Sequence, residues 1–464
     1  MSEDATEARH INWPDCCAFT QLFRAFKLAI HPTKIILAFC GIFATYMAGR
    51  VLDATWAKES CPVVSSTVRE SEIEVFCRAG RAETLNWIKQ TQDAKEVNRA
   101  GVFSLLMRHG RATANQVADG AVSLSVGRII GGLIVGLMGM AWVFALHPWY
   151  GVLFFLLAFA IWGLFGGAVA RVAALHATRD ERIGLSEALT FSKSKFVGFF
   201  AAPLMPVGIL LFFGVLLMLG GLVGAIPAIG ELLVGIIFFL ALIAGFILAF
   251  VMIGALVGYC MTFPTIAVEG SDAFDALSRT FSYVYQRPWR TVFYSLVSIG
   301  YGSICFLFVK FFVRLMLWAT HLFVSVSMNL GGPLLTEATT GPRPGKLDAM
   351  WHAPSLSGDT PFYGSFDTGV QLSGISWFGQ ALIKFWVYGV WGLVAAFVVS
   401  LFYSSSTLIY LLLRREVDAT DMEEVYVEDS ALDDIAPPMP VATTAIGTTQ
   451  GASGTSLPIL GQNS

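Results

Sequence analysis

Basic residues stand at the entrances of apolar runs in this chain, and contact with anions is the chemistry that placement suggests first. Arg24, Lys27 and Lys34 precede one such run, and Arg279, Arg287 and Arg290 precede another. A cation held where a helix enters a bilayer reaches lipid phosphate. These six residues are therefore the candidate contacts for an anionic headgroup, with plain helix anchoring as the alternative role. Further along the second run, Lys310 and Arg314 lie one helical turn apart, with His321 two turns beyond. Ionisable residues inside a membrane segment are functional candidates by default. Counting argues otherwise here: from Arg290, 20 residues at ~1.5 Å each put Lys310 ~30 Å away, at the outer interface, where its chain snorkels. Glu231 is expected on that same outer face, pairing with Lys310 or facing water.

Enzyme signatures are missing. Gly341 to Lys346 reads GPRPGK, one residue short of P-loop spacing and followed by Leu347 in place of Ser or Thr. The chain contains no HExxH and no GxSxG, and none of its seven histidines are spaced i, i+3 or i+4. Glu269 has no nearby histidine or second acid, so ion pairing with a neighbouring arginine is its expected role. The reading is non-enzymatic, with no cofactor and no metal. Seven cysteines are scattered without a CxxC. Cys61 and Cys77 share one polar loop, where a disulfide is one reading and two unrelated thiols the other.

The elements that must position these residues are membrane helices. Of 464 residues, 55% are hydrophobic and only 14% charged, with a mean hydropathy of +0.65. A soluble domain carries roughly 25% charged residues, so a soluble enzyme or a nucleic-acid-binding protein is excluded. The net charge of −3 conceals a basic body: nine carboxylates lie between Glu416 and Asp434, and without them the balance is +6. The N-terminal MSEDATEARHINWPDCCAF shows no signal pattern or cleavage site, so insertion is expected to rely on the first membrane helix.

Seven apolar stretches emerge: Ile35 to Leu52, Ile129 to Leu146, Tyr150 to Ala170, Pro203 to Ala225, Leu232 to Met261, Thr291 to Val313 and Phe385 to Leu413. Loop arginines and lysines put Arg171, Arg179, Arg182, Lys193, Lys195, Arg279, Arg287, Arg290, Arg414 and Arg415 on one face, the cytoplasmic one by the positive-inside rule. Arg24, Lys27 and Lys34 belong there too, yet seven full crossings put the chain ends on opposite faces. Demoting the glycine-rich Gly127 to Leu146 to a re-entrant or interfacial helix restores parity. The fold expected is an all-α polytopic integral membrane helical bundle of six transmembrane helices, with seven as the alternative, and amphipathic interfacial helices. Its parts are residues 1–52 (interfacial helix and first span), 53–126 (outer polar loop with a small helical cap, helices near Glu83 to Glu96 and Arg99 to Asp119), 127–415 (bundle, including an outer loop 327–377) and 416–464 (disordered acidic tail).

The sequence also repeats. Ala18-Phe19-Thr20-Gln21-Leu22-Phe23-Arg24-Ala25-Phe26 matches Ala273-Phe274-Asp275-Ala276-Leu277-Ser278-Arg279-Thr280-Phe281 at Ala, Phe, Leu, Arg and Phe. Pro32-Thr33-Lys34 then corresponds to Pro288-Trp289-Arg290 after one extra residue, and a weaker third copy runs from Ser186 to Phe191. Each unit reads as a short amphipathic helix lying in the headgroup plane, ended before proline.

With this AFxxLxR repeat, the stretch PTIAVEGSDAFDALSRTFSYVYQRPWR and the preceding ARVAALHATRDERIGLSEAL, the chain resembles an uncharacterised bacterial family of multi-pass membrane proteins. More loosely it is similar to the membrane domain fused to some glycerophosphodiester phosphodiesterases. The resemblance covers residues 15–55 and 165–415; it implies a bacterial cytoplasmic membrane location and carries over no catalytic residue, because the phosphodiesterase domain is absent. The function expected is that of a non-enzymatic membrane-organising or lipid-interacting protein, with anionic lipid and a protein as partners and no nucleic acid. The alternative is a transporter or permease-like subunit for lipid or apolar solute.

Overall fold

Proline occupies the first turn of three long helices, at Pro32, Pro148 and Pro288. Its missing N–H is one that a helix start leaves unpaired in any case. The computed structural model describes residues 18–56, 61–64, 70–92, 97–227, 229–329, 347, 350–351 and 375–426. Most of the loop 327–377 and all of the acidic tail beyond Tyr426 lie outside these, as do residues 1–17.

After a 3-10 helix (Ala18–Arg24) come α1 (Ala25–Ala29) and α2 (Pro32–Thr55). Strands β1 (Cys61–Val64), β2 (Glu70–Ser71) and β3 (Val97–Ala100) form a small antiparallel sheet in the order β2-β1-β3, with α3 (Glu72–Gln92) inserted before β3. Then follow α4 (Val102–Val122), α5 (Val126–Leu146), α6 (Pro148–Thr178), α7 (Leu185–Ser194), α8 (Phe196–Ala201), α9 (Leu204–Gly224), α10 (Ile229–Glu269), α11 (Ala273–Gln286), α12 (Pro288–Asn329) and α13 (Ile375–Asp418). Seven of these helices, α2, α5, α6, α9, α10, α12 and α13, are long and apolar enough to cross a membrane. The protein is thus an all-α polytopic bundle with one small sheet. Helix α5, expected as a re-entrant element, is an unbroken helix of 21 residues and counts among the seven.

One order of elements recurs three times. A short helix leads into an outgoing helix, and a returning helix ends at the centre: α1, α2 and α6; α7, α9 and α10; α11, α12 and α13. Each returning helix also holds the short helix of the next set. Ser192 Oγ on α7 donates to the Leu164 carbonyl of α6 at 2.6 Å, Thr265 of α10 meets Thr280 of α11 at 3.3 Å, and Ser400 Oγ of α13 donates to the Ala29 carbonyl of α1 at 2.7 Å. The three returning helices meet around Tyr403, which packs on Phe263 and against Gly166. Every residue from Tyr403 to Arg414 is buried, so α13 is enclosed on all sides for three turns.

This core explains the amphipathic helices. Leu22, Ala25 and Leu28 are buried, and Phe19, Phe23 and Phe26 set their rings against Phe293, Tyr301 and Phe397. The apolar faces expected to dip into lipid are instead spent largely on α12 and α13. Hairpin α9–α10 differs: in α9 only Pro206 is buried, and Leu211, Phe212 and Met218 are 62%, 66% and 75% exposed. Surface that apolar on a polytopic chain is lipid-facing.

At the opposite end from this core, Asp53 at the end of α2 accepts hydrogen bonds from the Phe103 and Ser104 amides at 3.0 and 3.2 Å, and from Tyr150 Oη at 2.9 Å. One carboxylate thereby caps α4 and ties it to α2 and α6. Glu72, also buried, accepts from Trp142 Nε1 at 3.1 Å and lies 3.2 Å from His147 Nε2.

Candidate functional site

The six basic residues read as headgroup contacts divide evenly. Arg24, Lys27 and Arg287 are exposed. Beside them stand apolar side chains that also face outward: Phe23, Ile30 and, at 85% exposure, Trp289. Lys34, Arg279 and Arg290 have partners within the protein, and of these three Arg290 is also exposed. Lys34 is fully buried and its Nζ donates to Ser404 Oγ at 3.1 Å, so it does not reach a lipid phosphate where the expectation put it. The enclosing core extends past the start of α2, which turns this entry lysine inward. Arg279 pairs with Asp275 at 3.0 Å and Glu269 at 3.7 Å, and Arg290 pairs with Glu416.

Behind the exposed cations lies a polar layer that converges on the last described residues of the chain. Gly270, at φ +65°, ends α10, and a Cβ there would sit 2.5 Å from the Tyr426 ring. Asp272 caps the next helix by accepting from the Asp275 amide at 2.9 Å. Tyr426 donates its amide to the Val268 carbonyl at 2.8 Å, while Arg171 holds the carbonyls of Ala267 and Tyr426, both at 2.8 Å. Arg414 binds Glu269 at 2.8 Å and the Glu424 carbonyl at 2.7 Å. The expected ion-pairing role of Glu269 is thus what the structure shows. Tyr283 donates to Asp418; burial, and then this bond, raises its phenol above the usual range.

His31 and His176 meet edge to face at 5.2 Å close to Lys34. Burial first, then the charges of Lys34 and Arg182, lower the His31 imidazole below its ordinary value. Neither Nδ1 has a hydrogen-bond partner. Cys77 carries a free thiol, so the bond to Cys61 is not made.

Lys310 departs from its expected place. Its Nζ lies 3.4 Å from Asn115 Oδ1 of α4 and the residue is buried, whereas Glu231 is exposed. The count from Arg290 took that residue as the membrane boundary, whereas α12, at 42 residues, is about twice the length that hydrocarbon requires. Arg171, Tyr426 and the α4 stripe described below were not singled out from sequence; only burial and long-range contact reveal them.

Among the described residues no group of three or more His, Cys, Asp or Glu is placed to hold a metal ion. An open groove along α8 and α9, lined by Ala201, Met205, Ile209 and Phe213 among others, is apolar and presents no acid or base. Compared with protein-family models, curated proteins and solved structures, the chain matches none. The family resemblance therefore rests on its motifs alone.

Proposed function

We propose that this protein is a non-enzymatic, lipid-interacting organiser of a bacterial cytoplasmic membrane, and that the helices of its basic end, built as an internal repeat, gather anionic lipid. The observation that carries this is the pairing of outward cations with outward apolar groups: Arg287 beside Trp289, and Arg24 and Lys27 beside Phe23 and Ile30. Trp at a membrane interface seats its ring at headgroup depth, which puts the neighbouring guanidinium at the phosphates. Each cation near an anionic surface contributes about 1 kcal/mol.

Native mass spectrometry of gently solubilised protein tests this, comparing wild type with a variant carrying Arg24→Gln, Lys27→Gln and Arg287→Gln. Three such losses weaken anionic lipid retention on the order of a hundred-fold. Equal lipid complements in both proteins refute the reading and leave these cations as positional anchors.

A further inference from the structure

Helix α4 is too polar to stand among the seven apolar spans, yet it runs where a span runs. Its first turn is fixed at Asp53, the far end of α2. From there it lies antiparallel on α5 along the length of both. A Cβ at Gly139 would meet His109 at 2.6 Å, one at Gly136 would meet Thr113 at 3.1 Å, and one at Gly132 would meet Val117 at 2.7 Å, while Gly120 closes on Ile129 near the turn. The glycines that made α5 look re-entrant are the groove that admits α4. Both helices have 21 residues, about 30 Å each, and α5 returns to the Asp53 end, where His147 and Tyr150 follow it. Two thirds of the way down, Asn115 of α4 meets Lys310 of α12.

The face of α4 turned away from α5 is a polar stripe. Ser104, Arg108, Arg111, Asn115 and Asp119 follow one another at intervals of four, three, four and four residues, the spacing of one helix face. Arg111 and Asp119 are exposed, and Arg108, at 38% exposure, pairs with Glu74 near the cap. On α12, Arg314 lies one turn beyond Lys310, the spacing that shares a helix face.

We propose that α4 crosses the membrane as an eighth helix, and that its polar stripe, with Lys310 and Arg314, lines a hydrated crevice that admits small anions. A charge facing hydrocarbon costs about 2.5–3.5 kcal/mol, so a stripe carrying three of them faces water or a polar partner. A second copy is the poorer partner: a two-fold interface sets the same patch against itself, here arginine against arginine. Among the described residues, the four cations Arg108, Arg111, Lys310 and Arg314 stand against two carboxylates, Asp119 and the Glu74 that pairs with Arg108, and this cationic excess concentrates anions in the crevice. Eight crossings also return both chain ends to one face, as the distribution of lysine and arginine requires.

The test uses full-length protein in lipid nanodiscs, which leave both faces open, with Arg111→Cys and Asp119→Cys made singly. Each is reacted with a methanethiosulfonate bearing a sulfonate and with one bearing a trimethylammonium, over the wild-type background. Phe212→Cys, on the lipid-facing surface of α9, is the unreactive control. Both stripe positions are expected to react, and with the anionic reagent about ten-fold faster; adding Lys310→Gln is expected to shrink that preference. Stripe cysteines as inert as the control overturn the crevice, and equal rates with both reagents overturn its anion preference. Oxidative cross-links between copies of the Arg111→Cys variant show a subunit interface instead. Arg111 and Asp119 are exposed, so the result stands even where Lys310→Gln fails to fold.

Discussion

The guanidinium of Arg171 on α6 holds the backbone carbonyl of Tyr426, 255 residues further along the chain, at 2.8 Å. Through this contact the segment following α13 is strapped across the ends of the three returning helices. The same side chain holds Ala267 of α10, so one cation joins two of those helices and the strap.

Replacing it is therefore costly. Buried hydrogen bonds to a charged group contribute about 1.5–3 kcal/mol each. Arg171→Met is expected to lower the thermal midpoint in detergent by several degrees, and ending the chain after Asp418 is expected to do the same. An unchanged midpoint for both would show that the strap only rests on the bundle.

The groove on α5 gives a second expectation. Gly139→Val sets a branched side chain where even a Cβ lies 2.6 Å from the His109 ring, and overpacking of this kind costs about 1–3 kcal/mol. Gly127→Val, at a position with open space around it, serves as the control. Thermal unfolding of the pair should show a lower midpoint for Gly139→Val alone.

Acidification is expected to loosen the basic end. His31 holds its proton less tightly when folded than when unfolded, so the unfolded chain binds the extra proton as pH drops below about 6.5. Stability is full above that pH and declines below it. Melting curves at pH 7.5 and 5.5 measure the difference, and His31→Gln should reduce it.

At the opposite end, Asp53→Ala removes the cap of α4, a loss of roughly 0.5–2 kcal/mol. Hydrogen exchange reads it locally: the amides of Phe103 and Ser104, which donate to this carboxylate, should exchange faster while those of the enclosed α13 core stay protected.

How far the sequence led depends on which medium each residue meets. The apolar spans were legible because hydrocarbon tolerates no charge for about 20 residues, and the prolines that open α2 and α12 follow from backbone chemistry alone. Helix α4 was legible as an amphipathic helix, with the outer cap as its expected place. Its periodicity shows two faces and does not say whether the polar one meets bulk water or a crevice. Lys34 misled for a related reason: a lysine before an apolar run reads as an interfacial anchor, and only the three buried turns of α13 show that protein surrounds it. The sheet was missed because its strands, two to four residues long, are too short for a period to register.

The number of crossings underlies the placement of every residue discussed, and Leu124 reports on it directly. This residue occupies the turn between α4 and α5 and is 89% exposed; Leu85 is an exposed position on α3, in the cap. Leu124→Cys and Leu85→Cys are labelled with an impermeant maleimide in right-side-out and inverted vesicles, alongside tags at the two chain ends. Eight crossings place Leu124 on the same face as both tags and Leu85 on the other. Labelling of Leu124 from the face that exposes Leu85 would contradict this and return α4 to the outer surface.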